Sequence, residues 1–434
     1  MKTLKVFFGI TMAVGLLLFS GCGSDDAKPK NVVVVTITAA GTDVTTGNPV
    51  SGIDLNGATS AADVPVENLV ITITFDKDID AATVSGTTVS LSDGSSVMNT
   101  TSSVSGAVIT ASANDDLARG TDYTLTINGL MGDDGAEFSA VTRSFGTGGV
   151  ADVTPPFDSE QVAYYNFNGS SDATIGSDPT ATIDMDYEID RHGQAASAAY
   201  FNGNTSIIEI PNGSSLINNS DFTISFWLKT NTAGHVNENG DPAGMFVMGL
   251  GAFFGLQYEI FGSYDGSKFA ISYENDAGAT FSEDMWFPNG ATDNTTGGWQ
   301  GWTFANNLTA EQMQGIIKDT WYHVIYTFDG TARTATLYFN GQLMKSFDFN
   351  LWPDGSDQQT GEALKYRGVE PDVLDELALG FIHSRGGSMW DAEPWGGYDI
   401  PTANHYKGSM DDLRIFHAAF SASDAADLYN AEKP

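Results

Sequence analysis

The stretch FNGNTSIIEIPNGSSLINNSDFTISFWLK, residues 201–229, decides the fold class of this chain. From Phe222 to Leu228, apolar residues alternate with polar or amphipathic ones, which is the period of two expected of a β-strand with one face in a core. The Asn, Gly and Ser residues before that strand favour a turn. The stretch predicts β structure, and we interpret everything after residue 158 as completing the sheet that it begins.

Composition extends that interpretation to the whole chain of 434 residues, which contains 48 glycines. Asn, Ser and Thr recur throughout and long helical periodicity is almost absent, a combination typical of all-β proteins with many turns. The length leaves room for two or three domains. A formal net charge of −36 repels nucleic acid, and it suits neutral ligands and divalent cations as well as a merely solvated exterior.

Residues 1–21 have the pattern of a secretory signal, because Lys2 and Lys5 precede an apolar run that is short for a membrane span. The letters LFSGC, residues 18–22, resemble a bacterial lipoprotein box. That resemblance implies cleavage before Cys22 and lipidation of its sulfur. Cys22 is the single cysteine of the chain, so an intramolecular disulfide is excluded. The alternative is an ordinary signal peptide with an incidental cysteine.

A short polar tether, residues 22–30, follows the signal and carries Asp25 and Asp26. Acidic residues directly behind a lipidated cysteine resemble the surface-export signal of bacterial lipoproteins. The resemblance implies a protein that is held in the outer membrane by its lipid and faces the cell exterior.

Residues 31–148 alternate short strand-like runs with turns. Val32 to Thr38 is rich in β-branched residues, and the segments 69–75 and 123–127 place apolar residues at every second position. Strands of this length and spacing predict a sandwich of about a hundred residues.

Sequence motifs in the same region resemble the bacterial Ig-like domain of surface proteins. They are VPVENLVITITFDKDIDAATVSGTTVSL (64–91), LARGTDYTLTINGLMGDDGAEF (117–138) and RSF (143–145). The resemblance implies a spacer or presentation module. Residues 149–158, with glycine at the start and Pro155-Pro156 near the end, form the predicted linker to the next domain.

Residues 159–434 carry strand motifs in a fixed order, namely VAYYNFNG (162–169), AYFNG (199–203), TWYHV (320–324), LYFNG (337–341) and GSMDDLRIF (408–416). Together with the 222–229 strand they resemble the concanavalin A-like, laminin G-type jelly roll. Independently of that resemblance, Asn340-Gly341 favours a two-residue hairpin turn. Ser421, three residues before Asp424, favours the start of a short closing helix to Leu428.

Three segments are longer than a minimal jelly roll needs, and we expect them to form long loops: 229–320, 349–376 and 384–406. Six of the eight tryptophans fall in them: Trp286, Trp299, Trp302, Trp352, Trp390 and Trp395. An exposed indole can stack on the C–H face of a sugar ring while neighbouring Asn, Asp and Gln bind its hydroxyls. These six are the predicted carbohydrate platform; the alternative is that they pin the loops onto the sandwich. Trp227 and Trp321 lie on predicted strands, which indicates core packing.

The resemblance to this jelly roll also implies a structural Ca²⁺. Oxygen donors of the right kind are Asp172, Asn202, Asp411 and Asp412. Calcium takes six to eight oxygens, so these side chains would have to converge with backbone carbonyls.

Catalysis is the remaining question, because glycoside hydrolases with this architecture can carry E-x-D-x-x-E on a strand. EPDVLDE, residues 370–376, departs from that motif: Asp375 stands where the acid Glu belongs, and Pro371 is a poor central-strand residue. We therefore expect a carboxylate cluster on a loop. The six histidines show no metal-ligand spacing, and nothing nominates the Ser of a Ser-His-Asp triad.

The sequence thus predicts an all-β, non-catalytic surface lipoprotein that binds an extracellular glycan through its jelly roll, with the Ig-like domain as spacer. Two alternatives stay open. One is an adhesion or structural protein that meets a protein partner, and the other is a polysaccharide hydrolase.

Overall fold

The computed structural model describes residues 30–57, 59–288 and 302–434. Its buried apolar side chains fall into two main clusters, one between Val32 and Phe145 and a larger one between Ala163 and Ile415. Each cluster lies inside its own β-sandwich. Residues 1–29, with the predicted signal and Cys22, lie outside the described residues. Within the described ranges no helix is both long and apolar enough to cross a membrane.

In the described part of the N-terminal sandwich there are nine strands: β1 Val34–Thr42, β2 Pro49–Asp54, β3 Ala61–Val64, β4 Glu67–Phe75, β5 Val89–Ser92, β6 Val97–Ser105, β7 Val108–Ala113, β8 Asp122–Ile127 and β9 Val141–Thr147. Their hydrogen-bonded order is β2-β1-β4-β7-β6-β5-β8-β9-β3. Strand β6 changes layer, because Val97–Asn99 pair with β5 and Thr100–Ser105 pair with β7. The alternation in β4 and β8 buries every second residue, as the sequence predicts.

Within residues 159–288 and 302–434, the C-terminal sandwich contains seventeen strands and three α-helices. The strands are β10 Gln161–Tyr165, β11 Ala181–Ile183, β12 Asp186–Glu188, β13 Ala198–Asn202, β14 Ile207–Pro211, β15 Asp221–Thr230, β16 Met245–Gly249, β17 Leu256–Ile260, β18 Ser267–Asn275, β19 Thr280–Phe287, β20 Phe304–Ala305, β21 Trp321–Asp329, β22 Thr334–Phe339, β23 Gln342–Asp348, β24 Gly361–Leu364, β25 Glu376–Leu379 and β26 Lys407–Phe416. The helices are α1 Gly213–Ile217, α2 Ala310–Ile317 and α3 Ala422–Glu432.

These strands form two sheets that face each other across the larger core. The first has the order β12-β13-β26-β15-β21-β22-β23-β20, with β10 also paired to β26. The second has the order β11-β14-β25-β16-β17-β18-β19, with β24 paired to β18. The fold is therefore an Ig-like sandwich followed by a jelly roll, which confirms the predicted all-β class.

Strand β15 lies in the middle of the first sheet and is buried on both faces, whereas the sequence predicts one buried face. Phe222, Ile224 and the apolar residues in register with them face the core. The opposite face is also covered, because the α3 helix lies over it and Glu432 accepts a hydrogen bond from the indole N–H of Trp227 at 2.9 Å. Trp227 is buried as expected, although in a polar-aromatic layer beneath α3 and not in the core between the sheets.

Two local predictions are confirmed. Asn340 and Gly341 join β22 to β23 as a two-residue hairpin turn with positive φ at both positions, a conformation that favours these residue types. Ser421 accepts a hydrogen bond from the backbone N–H of Asp424 and begins α3, which continues to Glu432 and not only to Leu428.

The segment 229–320 is not the long loop that the sequence predicts. It contains β16 to β19, which are four of the eight described strands of the second sheet. Their apolar side chains fill the half of the core that faces β15 and β21. The prediction is wrong here because a jelly roll needs a second sheet of comparable size to cover the first.

The linker between the domains is hydrogen-bonded to the second domain. Val150 donates its backbone N–H to the side-chain oxygen of Gln194 at 3.0 Å. Arg119 of the Ig-like domain donates to Asn168 at 2.9 Å and to Ser197 at 2.6 Å. These contacts tie the two sandwiches together next to the linker.

Candidate ligand-binding site

A row of side chains crosses the outer face of the second sheet. In register it consists of Phe246 on β16, Glu259 on β17, Lys268 on β18 and Trp286 on β19. Side chains alternate along a strand, so their neighbours Tyr258, Phe269 and Met285 point into the core, where they are buried. The row therefore offers charged and aromatic groups to the outside of the sandwich.

This outer face is the floor of a cleft of about 630 Å³. The loop 384–406 forms one wall, and the segment 237–244 before β16 forms another. Its aromatic, charged and amide lining residues include Phe253, Gln257, Glu259, Lys268, Trp390, Trp395 and Asn404. The volume falls within the range of about 300–1,000 Å³ that is usual for small-ligand sites.

Trp390 and Trp395 are half-buried on the loop wall, and each has an aromatic partner beneath it. Trp395 packs edge-on against Phe246 at 5.9 Å between ring centroids, and Trp390 packs against Phe253 at 6.3 Å. The two predicted roles, holding the loop and lining a binding surface, are therefore compatible. One part of each ring rests on the sandwich and another part lines the cleft.

The loop is also fixed through its backbone. Asn404 donates its N–H to the carbonyl of Trp395 at 3.0 Å, and its own carbonyl accepts from the N–H of Phe246 at 2.7 Å. His405 lies against the ring of Phe381 at 4.3 Å and bonds the carbonyl of Tyr398 at 2.9 Å. Burial lowers the pKa of His405 to about 4. The imidazole under this wall is thus neutral at pH 7.

Lys268 is at the centre of the charged floor. Its Nζ lies 3.4 Å from the Oδ2 of Asp284 and 3.8 Å from the Oε2 of Glu259. Gln257 donates from Nε2 to the same Oε2 at 2.8 Å. Burial raises the pKa of the Glu259 carboxyl, and the nearby ammonium of Lys268 opposes that rise. The floor therefore presents a compact group of polar atoms in which the ammonium is already paired with carboxylates.

Trp286 marks the far end of the row. It is 41% exposed, tilts against Phe261 at 5.0 Å, and lies over the ammonium of Lys268 at 4.8 Å. Trp286 lies on β19, whereas the sequence predicts a loop there, and part of its ring is open to solvent. Trp299, another member of the predicted platform, lies outside the described residues.

The two remaining tryptophans of the predicted platform lie elsewhere. Trp302 is half-buried beside β20, and the ammonium of Lys345 lies 4.2 Å from its ring centroid. Trp352 is only 4% exposed and packs between Phe347 and Phe349. Its predicted stacking role is wrong, because a ring enclosed in the core has no face for a ligand.

The four predicted calcium ligands do not form a site in this arrangement. Asp172 and Asn202 are exposed, and the side-chain oxygen of Asn202 accepts from three backbone N–H groups in its own turn. Asp411 and Asp412 are buried and both accept from the guanidinium of Arg191. Across the residues that the structure describes, no three His, Cys, Asp or Glu side chains are grouped to hold a metal ion. Two of the predicted ligands, Asp411 and Asp412, instead form a buried ion cluster with Arg191.

A β-bulge explains why both aspartates reach one arginine. The pairing of β26 with β15 shifts between Ser225 and Trp227, which inserts an extra residue, and Asp412 has a φ of 45°. The bulge turns two consecutive carboxylates toward the same face. Arg191 lies about 220 positions away in the sequence, so no local pattern could have indicated this cluster.

The residues that could have carried catalysis have structural roles in this fold. In the segment 370–376, Asp375 accepts from the side chain and backbone of Ser214 at the start of α1, a capping role. His323 Nε2 lies 2.7 Å from Ser225 Oγ and 3.7 Å from Glu432, which superficially resembles a triad. Both partners meet the same nitrogen, whereas a catalytic acid bonds the other one. Burial lowers the pKa of His323 to about 3, and none of the three is exposed.

Two family models match this chain. A model described as a bacterial Ig-like domain matches residues 26–147, and one described as the concanavalin A-like lectin/glucanases superfamily, laminin G type, matches residues 202–368. These matches confirm the predicted architecture of an Ig-like domain followed by a concanavalin A-like domain. The second match ends before the loop 384–406, so the wall that carries Trp390 and Trp395 lies outside the matched segment.

Solved structures with similar folds include toxin binding domains. The binding domain of Paraclostridial Mosquitocidal Protein 1 is 13% identical, with a TM-score of 0.39, over 63% of this chain and 52% of that one. The botulinum neurotoxin serotype G binding domain is 14% identical, with a TM-score of 0.37, over 62% and 50%. This chain spans about half the length of these structures, and the likeness concerns the fold alone. A search of curated proteins found no match.

Proposed function

This chain joins a bacterial Ig-like domain to a concanavalin A-like domain, and on that premise we propose that it binds an extracellular polysaccharide in the cleft of the second domain. The single observation that carries the proposal is the position of Trp390 and Trp395. Both rings line the cleft above a floor of Gln257, Glu259 and Lys268.

The chemistry of the cleft suits a sugar chain. Indole faces pack on the C–H faces of sugar rings, and the gain comes from apolar burial. Amides and carboxylates bind hydroxyl groups, and here they come from Asn237, Gln257, Asn404 and Glu259. The exposed Trp286 at the end of the floor would extend the contact beyond one or two rings.

A binding assay on glycan arrays, followed by affinity gels, tests this proposal with the chain from Gly23 onward. The double variant Trp390→Ala, Trp395→Ala should lose binding at least tenfold. Two single variants form a matched pair, because Phe253 and Phe304 are each 43% exposed but only Phe253 lines the cleft. Phe253→Ala should weaken binding, and Phe304→Ala should not.

Hydrolysis is a second candidate, and one specific observation favours it. Glu259 and Asp284 both lie within 4 Å of Lys268 Nζ, so a second carboxylate lies close to the one that lines the cleft. A glycosidase needs one protonated and one ionised carboxyl group. The Lys268 ammonium contacts both carboxylates and occupies the space where a sugar oxygen would have to meet them, which argues for binding without cleavage. Chromatography of the bound polysaccharide for shortened products, with Glu259→Gln and Asp284→Asn as controls, separates the two.

We also propose that the protein is a lipoprotein of the outer membrane whose Cys22 carries the lipid and whose two domains face the exterior. The lipoprotein-box resemblance and the acidic tether support this. Labelling with a radioactive fatty acid should be lost in Cys22→Ser. Protease added to intact cells should remove the wild-type domains.

A further inference from the structure

The charges in the cleft narrow the class of sugar that it can bind, an inference that rests on the proposed function. We infer that the cleft takes chains of uncharged sugars and rejects acidic ones such as uronates or sulfated sugars. The observations are the neutralisation of Lys268, the acidic residues around it, and the commitment of nearby cations to other partners.

Lys268 is the cation among the described lining residues, and two carboxylates already surround its ammonium. Glu259 lies directly opposite Lys268 on β17, and Asp284 lies on β19, two residues before Trp286, so the ammonium has a carboxylate on each neighbouring strand. The ring of Trp286 covers the ammonium from outside. An acidic sugar would have to displace one of these contacts to reach the ammonium.

The rim adds negative charge. Glu238 lines the cleft and is exposed, and the loop wall carries Asp391 and Glu393 close to Trp390. Arg385, at the base of this loop, is paired with Glu209 at 2.9 Å. A ligand carboxylate or sulfate in the cleft would therefore meet more negative than positive charge.

Size and charge can be separated experimentally with chemically matched probes. Laminarin, pullulan and galactomannan would each be used in a carboxymethylated and a hydroxyethylated form of equal substitution, in affinity gels with the mature chain. The two substituents are similar in size, and only the first is charged. Carboxymethylation should weaken binding about tenfold more than hydroxyethylation at low salt. We call the ratio of the two affinities the gap between the probes, and this gap should narrow in 0.5 M NaCl.

Two variants should move this gap in opposite directions. Glu259→Gln removes one negative charge but keeps an oxygen for Gln257, so the gap should shrink severalfold. Lys268→Met removes the positive charge that pairs with both carboxylates, so the gap should widen. Thermal unfolding checks that each variant is folded, and the ratio between the two probes cancels any general loss of affinity.

The results distinguish this inference from the proposed function. If the hydroxyethylated and carboxymethylated forms bind equally, or the acidic form binds better, and binding still requires Trp390 and Trp395, the charge inference is wrong and glycan binding stands. If none of the probes or arrayed glycans binds the folded chain, the proposed function fails and this inference with it.

Discussion

The indole rings of Trp390 and Trp395 lie 6.4 Å apart between centroids, with 45° between their planes. They belong to one tight turn, in which Gly396 donates its N–H to the carbonyl of Glu393 at 3.0 Å. A Cβ at Gly396 would lie 2.7 Å from the Cβ of Trp390. The spacing of the two rings therefore depends on a residue without a side chain.

Replacing that glycine should damage the cleft more than the fold. In Gly396→Ala the new methyl group must displace Trp390, so we expect at least tenfold weaker polysaccharide binding. The control is Gly315→Ala on α2, where a Cβ meets nothing within 4 Å and alanine favours the helix by about 1 kcal/mol. Binding isotherms and melting curves would be measured for both. Unchanged affinity in Gly396→Ala would show that Trp390 does not contribute.

The loop wall should loosen in acid. The pKa of His405 is lowered by burial from 6.5 to about 4, so between these values the unfolded chain binds more protons than the folded one. Stability from this group is present above pH 6.5 and is lost as the pH falls toward 4, by up to about 3 kcal/mol. His405→Gln, which keeps a donor for the carbonyl of Tyr398, should flatten the pH dependence of urea unfolding. Identical slopes in the two proteins would contradict this.

Arg191 should be a large contributor to stability. Arg191→Met leaves the buried carboxylates of Asp411 and Asp412 without their cation, and breaking such a pair costs about 3–5 kcal/mol. In the control Lys77→Met, the lost partner Asp134 is solvent-exposed, so the cost should stay below about 1 kcal/mol. Denaturant unfolding gives both values. Similar small losses would mean that the ion cluster is not needed for folding.

Arg119 should hold the two domains in a fixed relation. Arg119→Met removes the hydrogen bonds to Asn168 and Ser197, so small-angle X-ray scattering should show a larger radius of gyration. Arg143→Met is the matched control, because that guanidinium binds Asn56 within the Ig-like domain. An unchanged radius in Arg119→Met would mean that the linker alone sets the arrangement.

Much of the fold could be predicted from local patterns. The alternation in β4, β8 and β15, the Asn340-Gly341 turn and the Ser421 cap each depend on residues close together in the chain. The strands β16 to β19 were missed, although the alternation in KFAISYE, residues 268–274, is itself a strand signal. The Gly-rich and Asn-rich segments that flank these strands favour loops in a prediction from sequence.

The site was predicted in part, for a physical reason. Large aromatic rings in polar segments identified Trp390, Trp395 and Trp286, but the same argument included the buried Trp352. Exposure depends on packing from distant segments, which composition does not report. The floor of Gln257, Glu259 and Lys268 could not be found without the strand register. The ion pair between Arg191 and Asp411 could not be found either, because the two residues are far apart in the sequence.

Calorimetric titration of an uncharged polysaccharide fragment into Phe253→Ala and Phe304→Ala tests the central claim most directly. The two side chains have the same exposure, and only Phe253 lies in the cleft, where it supports Trp390. We expect Phe253→Ala to bind at least fivefold more weakly than wild type, and Phe304→Ala to bind as wild type does. Equal affinities in the two folded variants would contradict the assignment of the cleft as the glycan site.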